Sequence, residues 1–174
     1  MNKRISPKEC EQLYIEYNTP AHVVRHCKAV CKVALTIAEK MNEKGYGFDL
    51  ALIEGAALSH DVARIEEDHG SVGAEILEEH GFHDEAEIVK VHMRYDLNEF
   101  EKLNETDMVC LGDRLVKEDK YVGLDERIKY ILDKAPQYIP GVREHILMTK
   151  DKTRVLLDKI EEYIGQSIDS LFEE

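Results

Sequence analysis

Five residues of this chain are good ligands for a divalent metal: His26, the adjacent pair His60-Asp61, His92 and Asp113. Each falls in a stretch whose apolar spacing predicts a buried helix. An imidazole or carboxylate without a partner is costly to bury, whereas several that converge on one ion are compensated. Successive helical residues point about 100° apart, so His60 and Asp61 flank one ion only if it lies between their two directions. The pattern predicts a buried metal site.

The sequence contains two His-Asp pairs, and their settings differ. Small and apolar residues at 56–59 precede His60-Asp61 and predict a buried helix face. Gly81-Phe82 precede His83-Asp84, which predicts a helix stop, a loop and a new N-cap at Asp84. We therefore assign the metal to the first pair. The alternative for His60-Asp61 is an exposed cap at a helix end.

Length and charge bound the class of protein. A chain of 174 residues suits one domain with a sizeable core, and no apolar run approaches the roughly 20 residues of a membrane span. The first residues lack the apolar stretch of a signal peptide, so we expect a cytoplasmic protein without a membrane partner. The net charge of −13 argues against a nucleic acid polymer as partner, because such binding needs a basic surface.

The four cysteines, Cys10, Cys27, Cys31 and Cys110, form no CxxC pair. In the cytoplasm they would stay reduced, and cysteines on apolar helix faces are usually small core residues. Cys27 and Cys31 are one helical turn apart, which leaves open a zinc site with His22 and His26.

Apolar residues recur at helical spacing along the whole chain, and no window shows the alternation of a strand. Ser6-Pro7 is typical of a capped helix start, and the charged segment 62–68 predicts a turn. The sequence predicts a single all-α domain over residues 1–174 that ends in a long amphipathic helix. The predicted helices lie at about 7–18, 20–45, 49–60, 71–80, 84–95, 106–116, 125–134 and 140–165.

In their order along the chain, His26, His60-Asp61 and Asp113 resemble the signature of the HD-domain metal-dependent phosphohydrolases. The resemblance covers about residues 20–135 and leaves a C-terminal helical extension at about 140–174. Segment 68–77 is similar to the helix start of the members that hold two metals. Segments 112–117 and 124–127 resemble HD domains attached to molybdenum-cofactor nucleotidyltransferase-like proteins and, more distantly, bacterial HD-type diadenosine tetraphosphate hydrolases.

The resemblance implies a role for each ligand. His26, His60, Asp61 and Asp113 would hold a first metal, and Asp61 would bridge to a second metal held by His69 and His92. Met93 follows His92 where many two-metal relatives have another His, so the second site departs from the family pattern. Imidazole and carboxylate ligands suit one or two divalent ions of Fe, Mn, Zn, Co or Ni, which would activate a water molecule.

Basic and acidic residues near these ligands are candidates for the remaining chemistry. Arg64 and Lys117 are the candidates for binding phosphate. Asp61 and Asp68 are the candidate catalytic residues, Asp68 as the general acid. The leading function is hydrolysis of a nucleotide or another small phosphorylated metabolite. The alternatives are a non-catalytic metal- or nucleotide-binding regulatory module, and a metal-dependent enzyme of other chemistry, such as an oxygenase. Neither the substrate nor the oligomeric state follows from the sequence.

Overall fold

A computed structural model describes residues 2–173 as a helical bundle with one short hairpin. Within these residues the all-α class is confirmed, since the hairpin contains only four strand residues. Its α-helices are α1 (Pro7–Glu16), α2 (Ala21–Glu43), α3 (Leu50–Ser59), α4 (His69–Glu79), α5 (His83–Val91), α6 (Glu105–Asp113), α7 (Gly123–Lys134) and α8 (Val142–Ile164). Short 3₁₀ helices span His92–Arg94, Phe100–Lys102 and Asp169–Leu171.

Several helices begin where the sequence predicts, because side chains satisfy their first amides. Ser6 accepts a hydrogen bond from the Glu9 amide while the Glu9 carboxylate accepts from the Ser6 amide, which completes a capping box before α1. Asp49 caps α3 through the Leu52 amide. Gly165, in the left-handed conformation with φ of 79°, ends α8.

Helix α2 lies at the centre of the bundle and contacts α3, α6 and α8. Helices α4 and α5 pack against each other, and α5 also packs on α3. Gly112 allows α6 to approach α2 closely, since a Cβ there would lie 3.0 Å from the Val30 carbonyl and 3.1 Å from the Ala34 Cβ. This close contact brings the end of α6, with Asp113, against the N-terminal half of α2, which contains His26.

The prediction of no strand was wrong. Strands β1 (Val116–Lys117) and β2 (Lys120–Tyr121) form an antiparallel pair in which Lys117 faces Lys120. Glu118, the first residue of the two-residue turn, adopts a φ of 55°. Strands of two residues are too short to show alternation in the sequence, which explains why the pattern was missed.

Several predicted helix ends were also wrong, including those near the two His-Asp pairs and the candidate ligands. Asp84 is not an N-cap: α5 begins at His83, and the Asp84 carboxylate binds Arg4 Nη1 at 2.6 Å and the Asn2 side chain. Helix α5 ends at Val91, before a 3₁₀ turn that starts at His92. Helix α6 ends at Asp113 rather than 116.

The long C-terminal helix is confirmed as α8, which buries Leu156, Leu157 and Ile160. It packs on α7 and α2. None of the helices between residues 2 and 173 combines the length and the apolar character that crossing a membrane requires.

Candidate metal centre

The ligand residues come from the ends of helices, with one exception. His60 and Asp61 directly follow α3, His69 is the first residue of α4, and His92 directly follows α5. Asp113 is the last residue of α6, whereas His26 lies inside α2. The pair His60-Asp61 thus sits at a helix end, yet it is not an exposed cap, because the two residues are only 1% and 7% exposed.

Asp61 lies at the centre of four imidazoles, and each carboxylate oxygen faces two of them. Oδ1 lies 3.2 Å from Nε2 of His69 and 3.3 Å from Nε2 of His92. Oδ2 lies 3.6 Å from Nε2 of His60 and 3.9 Å from Nε2 of His26. One carboxylate therefore separates two groups of ligand atoms, His26, His60 and Asp61 on one side and Asp61, His69 and His92 on the other.

Asp113 completes the first of these groups. Its Oδ1 lies 2.9 Å from Nε2 of His26 and 3.9 Å from Nε2 of His60. The structure thus brings together His26 from α2, the pair His60-Asp61 from the end of α3, and Asp113 from the end of α6. The two carboxylates and the two imidazoles each direct one ligand atom toward the same small volume.

Backbone carbonyls fix the orientation of three of the rings. Nδ1 of His60 donates to the Ala57 carbonyl at 2.7 Å, and Nδ1 of His92 donates to the Val89 carbonyl at 2.6 Å. Nδ1 of His26 donates to the Glu118 carbonyl, also at 2.6 Å. A carbonyl oxygen can only accept, so each Nδ1 carries the proton. In the neutral ring, Nε2 is then left with the lone pair that binds a metal.

The surroundings of the imidazole Nε2 atoms show whether a metal fits this site. Nε2 of His60, His69 and His92 is buried and has no hydrogen-bond partner, which is rare for a polar atom inside a protein. Each nonetheless points at a carboxylate oxygen within 3.6 Å. A lone pair and a carboxylate repel unless a proton or a cation lies between them. The donor set of imidazoles and carboxylates therefore fits divalent metal ions.

The carboxylates are held ionised, as metal ligands must be. Burial opposes ionisation of Asp61, but its close approach to the imidazoles of His60, His69 and His92 outweighs burial and holds its pKa well below the ordinary value. Desolvation likewise opposes ionisation of Asp113, yet the hydrogen bond from His26 and the charge of His60 lower its pKa to about 2.

The imidazoles divide according to their surroundings. Burial lowers the pKa of His60, since the nearby Asp61 and Asp113 do not fully compensate for desolvation. Burial acts in the same direction on His26 and His92, but contact with Asp113 and Asp61, respectively, raises the pKa of each. The pKa of each of these three rings is therefore set by the balance between burial and the two nearby carboxylates.

The three residues predicted for substrate binding and proton transfer have different surroundings. Arg64 Nε is 3.8 Å from Oδ2 of Asp61, and its side chain is half exposed. Asp68 is exposed, directly precedes His69 and makes no side-chain bond to the start of α4. Lys117 Nζ lies against α7, 3.9 Å from Glu126 and over the ring of Tyr130.

The cysteines behave as core residues. All four are free and buried, and burial raises the thiol pKa of Cys10, Cys31 and Cys110 to about 12. His22 is exposed. Between residues 2 and 173, the groups of ligand atoms close enough to hold a metal contain no cysteine, so the alternative zinc site is not formed.

Sequence reasoning missed the carbonyls that orient the rings. Those of Ala57 and Val89 belong to the last turns of α3 and α5, where carbonyls lack helical partners. A histidine placed three residues later is a signal that could have identified them. The Glu118 carbonyl has no comparable signal, because it depends on a turn that the sequence did not predict.

Residues 23–133 match the HD domain family, which is most of the chain. The chain therefore belongs to the HD-domain superfamily of metal-dependent phosphohydrolases. It is 30% identical over 152 residues to the uncharacterized protein MJ0778 of Methanocaldococcus jannaschii, an alignment that spans 78% of this chain and 90% of the relative. No solved structure matches it.

Proposed function

We propose that this protein is a metal-dependent phosphohydrolase that acts on a nucleotide or another small phosphorylated metabolite. One observation carries the proposal: four imidazole Nε2 atoms surround the Asp61 carboxylate within 3.9 Å, two on each oxygen. Three of these nitrogens are buried without a hydrogen-bond partner. A module with no need of a metal would gain nothing from keeping such a costly arrangement.

Two ions fit the two groups of ligands. His26, His60, Asp113 and Oδ2 of Asp61 would hold the first, and His69, His92 and Oδ1 of Asp61 the second. Asp61 would then be shared between them. Mn, Fe, Co, Ni and Zn are the metals that such imidazole and carboxylate ligands accept.

When bound, such ions supply a water molecule of lowered pKa and neutralise charge that develops on a phosphoryl oxygen. The protein's own residues would orient the substrate. The half-exposed guanidinium of Arg64 lies 3.8 Å from Asp61 and can present its free N–H groups to a phosphate oxygen. Because Arg64 lies beside Asp61 at the exposed side of the site, its guanidinium and the metal ions would contact the same phosphoryl group.

Asp68 and Lys117 stay predictions within this proposal. The carboxyl group of Asp68 is exposed and next to His69, and in its protonated form it would give a proton to the leaving group. Lys117 would have to exchange its contact with Glu126 for one with the substrate. A small substrate suits the charge of the chain, because a net charge of −13 repels an extended nucleic acid.

The proposal is tested by elemental analysis of protein purified without chelator, followed by a phosphate-release screen over nucleotides and small phosphate esters. We expect a bound transition metal and turnover of at least one ester, both removed by chelation. Tight metal binding with no turnover of any ester would favour the non-catalytic regulatory module. Absence of metal binding would refute the phosphohydrolase and the metal-binding form of the module.

A further inference from the structure

We propose that Glu118 is a positioning residue: its backbone carbonyl, turned toward the site by a left-handed conformation, fixes the ring of His26 for the metal. The inference rests on the proposed metal site and adds the β1–β2 turn to it. The observation behind it is the 2.6 Å hydrogen bond from Nδ1 of His26 to the Glu118 carbonyl, across 92 positions of the chain.

His26 needs such an outside partner because of its place in α2. His60 and His92 follow the ends of helices, so each finds a free carbonyl three residues earlier, that of Ala57 or Val89. His26 lies well inside a helix that spans Ala21–Glu43. There the preceding carbonyls already accept helical amides, and an acceptor for Nδ1 has to come from another element.

The turn supplies this acceptor at a conformational cost. Lys117 pairs with Lys120, so Glu118 and Asp119 form a two-residue hairpin turn. Glu118 adopts a φ of 55° at the first position of that turn, where glycine is usually found. Side chains that carry a Cβ disfavour this region, and such strain persists where the surrounding structure or a function requires it.

One contact joins the turn to α2, and hydrogen bonds at the base of the hairpin hold its two strands together. Asp119 lies 3.5 Å from Nε of Arg25, the residue that precedes His26. At the other end, the amides of Val122 and Gly123 donate to the Leu115 carbonyl at 2.9 and 3.2 Å. The Glu118 side chain itself is exposed. The carbonyl, and not the carboxylate, is therefore the group that reaches the site.

Two substitutions at one position separate the carbonyl from the side chain. Glu118→Gly keeps the carbonyl and tolerates the left-handed φ, whereas Glu118→Val disfavours that φ because its side chain is β-branched. Gly81→Val is the matched control for strain: Gly81 has a φ of 84° in open space and lies beyond the far end of α4 from His69. All three variants are compared for thermal stability and for binding of Zn²⁺ and Mn²⁺.

We expect Glu118→Gly to bind metal as the wild type does, and Glu118→Val to lose about 10-fold or more in affinity at one of the two ions, as is typical when the partner of a ligating histidine is removed. Gly81→Val should lose thermal stability without losing affinity. Wild-type affinity in Glu118→Val would overturn the inference and leave the turn a purely structural element.

A second measurement does not depend on metal. In ¹⁵N-labelled protein, the Nδ1 proton of His26 should be protected from exchange in the wild type and in Glu118→Gly, and unprotected in Glu118→Val. If the wild type binds no metal but shows this pattern, the proposed function fails while the positioning of His26 stands. An unprotected Nδ1 proton in the wild type would refute the positioning role.

Discussion

His69 and Asp61 meet at the centre of the site, with Nε2 of the imidazole 3.2 Å from Oδ1 of the carboxylate. Neither residue lies inside a helix: Asp61 follows the end of α3, and His69 is the first residue of α4. The exposed segment 64–68 joins them. A buried contact between two helix ends thus joins the two ends of a charged surface turn. The geometry of this contact matters for both groups of ligands, because Asp61 belongs to each.

Replacing Asp61 by Asn should abolish phosphohydrolase activity and leave the helical fold largely intact. Asn keeps the shape of the side chain but removes the charge that faces all four imidazoles. Metal affinity should therefore fall by more than the roughly 10–100-fold that follows loss of an outer partner. Calorimetric titration with Mn²⁺ and circular dichroism together would measure both effects, and excess metal should not restore full turnover.

Asp84→Asn is the control, since it alters the other His-Asp pair. Asp84 lies away from the site and binds Arg4 and Asn2 at the surface, so this variant should lose some stability but neither metal nor activity. Equal loss of activity in both variants, or full activity in Asp61→Asn, would contradict the assignment of the site.

The candidate ligands could be selected from the sequence because they are residue types that are costly to bury without a metal. His26, His60, Asp61 and Asp113 could be selected on that ground alone. The positions of His60, Asp61 and Asp113 at helix ends could not be predicted, because helix ends depend on contacts with distant residues. Asp84 illustrates this: Arg4 and Asn2, some 80 positions earlier in the chain, take the carboxylate that was predicted to cap α5.

The hairpin could not be predicted from the sequence, for a different reason. Glu118-Asp119 lacks the glycine that normally marks such a turn, and β1 and β2 have two residues each. The contribution of the Glu118 carbonyl to His26 is invisible in the sequence, because every residue has a carbonyl. That residues 1–174 unfold as a single domain stays a prediction, as does the assignment of Asp68 and Lys117 to the reaction.

His69→Ala and His26→Ala should each remove a different metal ion. His69 belongs with His92 on the Oδ1 side of Asp61, and His26 with His60 on the Oδ2 side. We expect metal content by mass spectrometry to fall from two ions per chain to one in each variant, and below one in the double variant. Exposed His83, whose Nδ1 contacts the Glu78 carboxylate, provides the control: His83→Ala should keep both ions. A wild-type content of one ion, unchanged in His69→Ala, would leave only the site around His26.

Gly112→Ala should reduce both stability and metal affinity. The added methyl would lie 3.0 Å from the Val30 carbonyl and 3.1 Å from the Ala34 Cβ, so α6 has to move away from α2. Overpacking of this kind typically costs about 1–3 kcal/mol, and the movement carries Asp113 away from His26. Urea unfolding and Mn²⁺ titration measure the two effects.

Gly55→Ala separates these effects. Its added methyl would lie 2.6 Å from Cγ2 of Ile5, on the side of α3 that faces the N-terminal segment. This variant should lose stability but keep its metal affinity once folded. If both glycine variants bind metal as the wild type does, the close packing of α6 on α2 does not position Asp113.

Glu85→Gln should gain stability relative to the wild type as pH rises. Glu85 is fully buried; the Ile5 amide donates to Oε1 at 3.0 Å, but Oε2 has no partner. Burial raises the pKa of this carboxyl above its ordinary value. The stabilising contribution of the protonated group is therefore present below the ordinary pKa and is lost as pH rises through the folded-state pKa. Gln cannot ionise, so the variant should gain stability over the wild type as pH rises above the ordinary carboxyl pKa of about 4.

Glu9→Gln should show the opposite trend and serves as the matched control. Hydrogen bonds from the Ser6 amide and from Lys3 lower the pKa of Glu9 to about 2. Its contribution is present above the ordinary pKa and is lost as pH falls toward 2, so Glu9→Gln should lose stability relative to the wild type at neutral pH but not in acid. Free energies of unfolding in urea, measured with chelator present from about pH 3 to pH 7, give both differences, in which the other titrating groups cancel. A difference for Glu85→Gln that does not change with pH would mean that burial leaves this carboxyl unaffected.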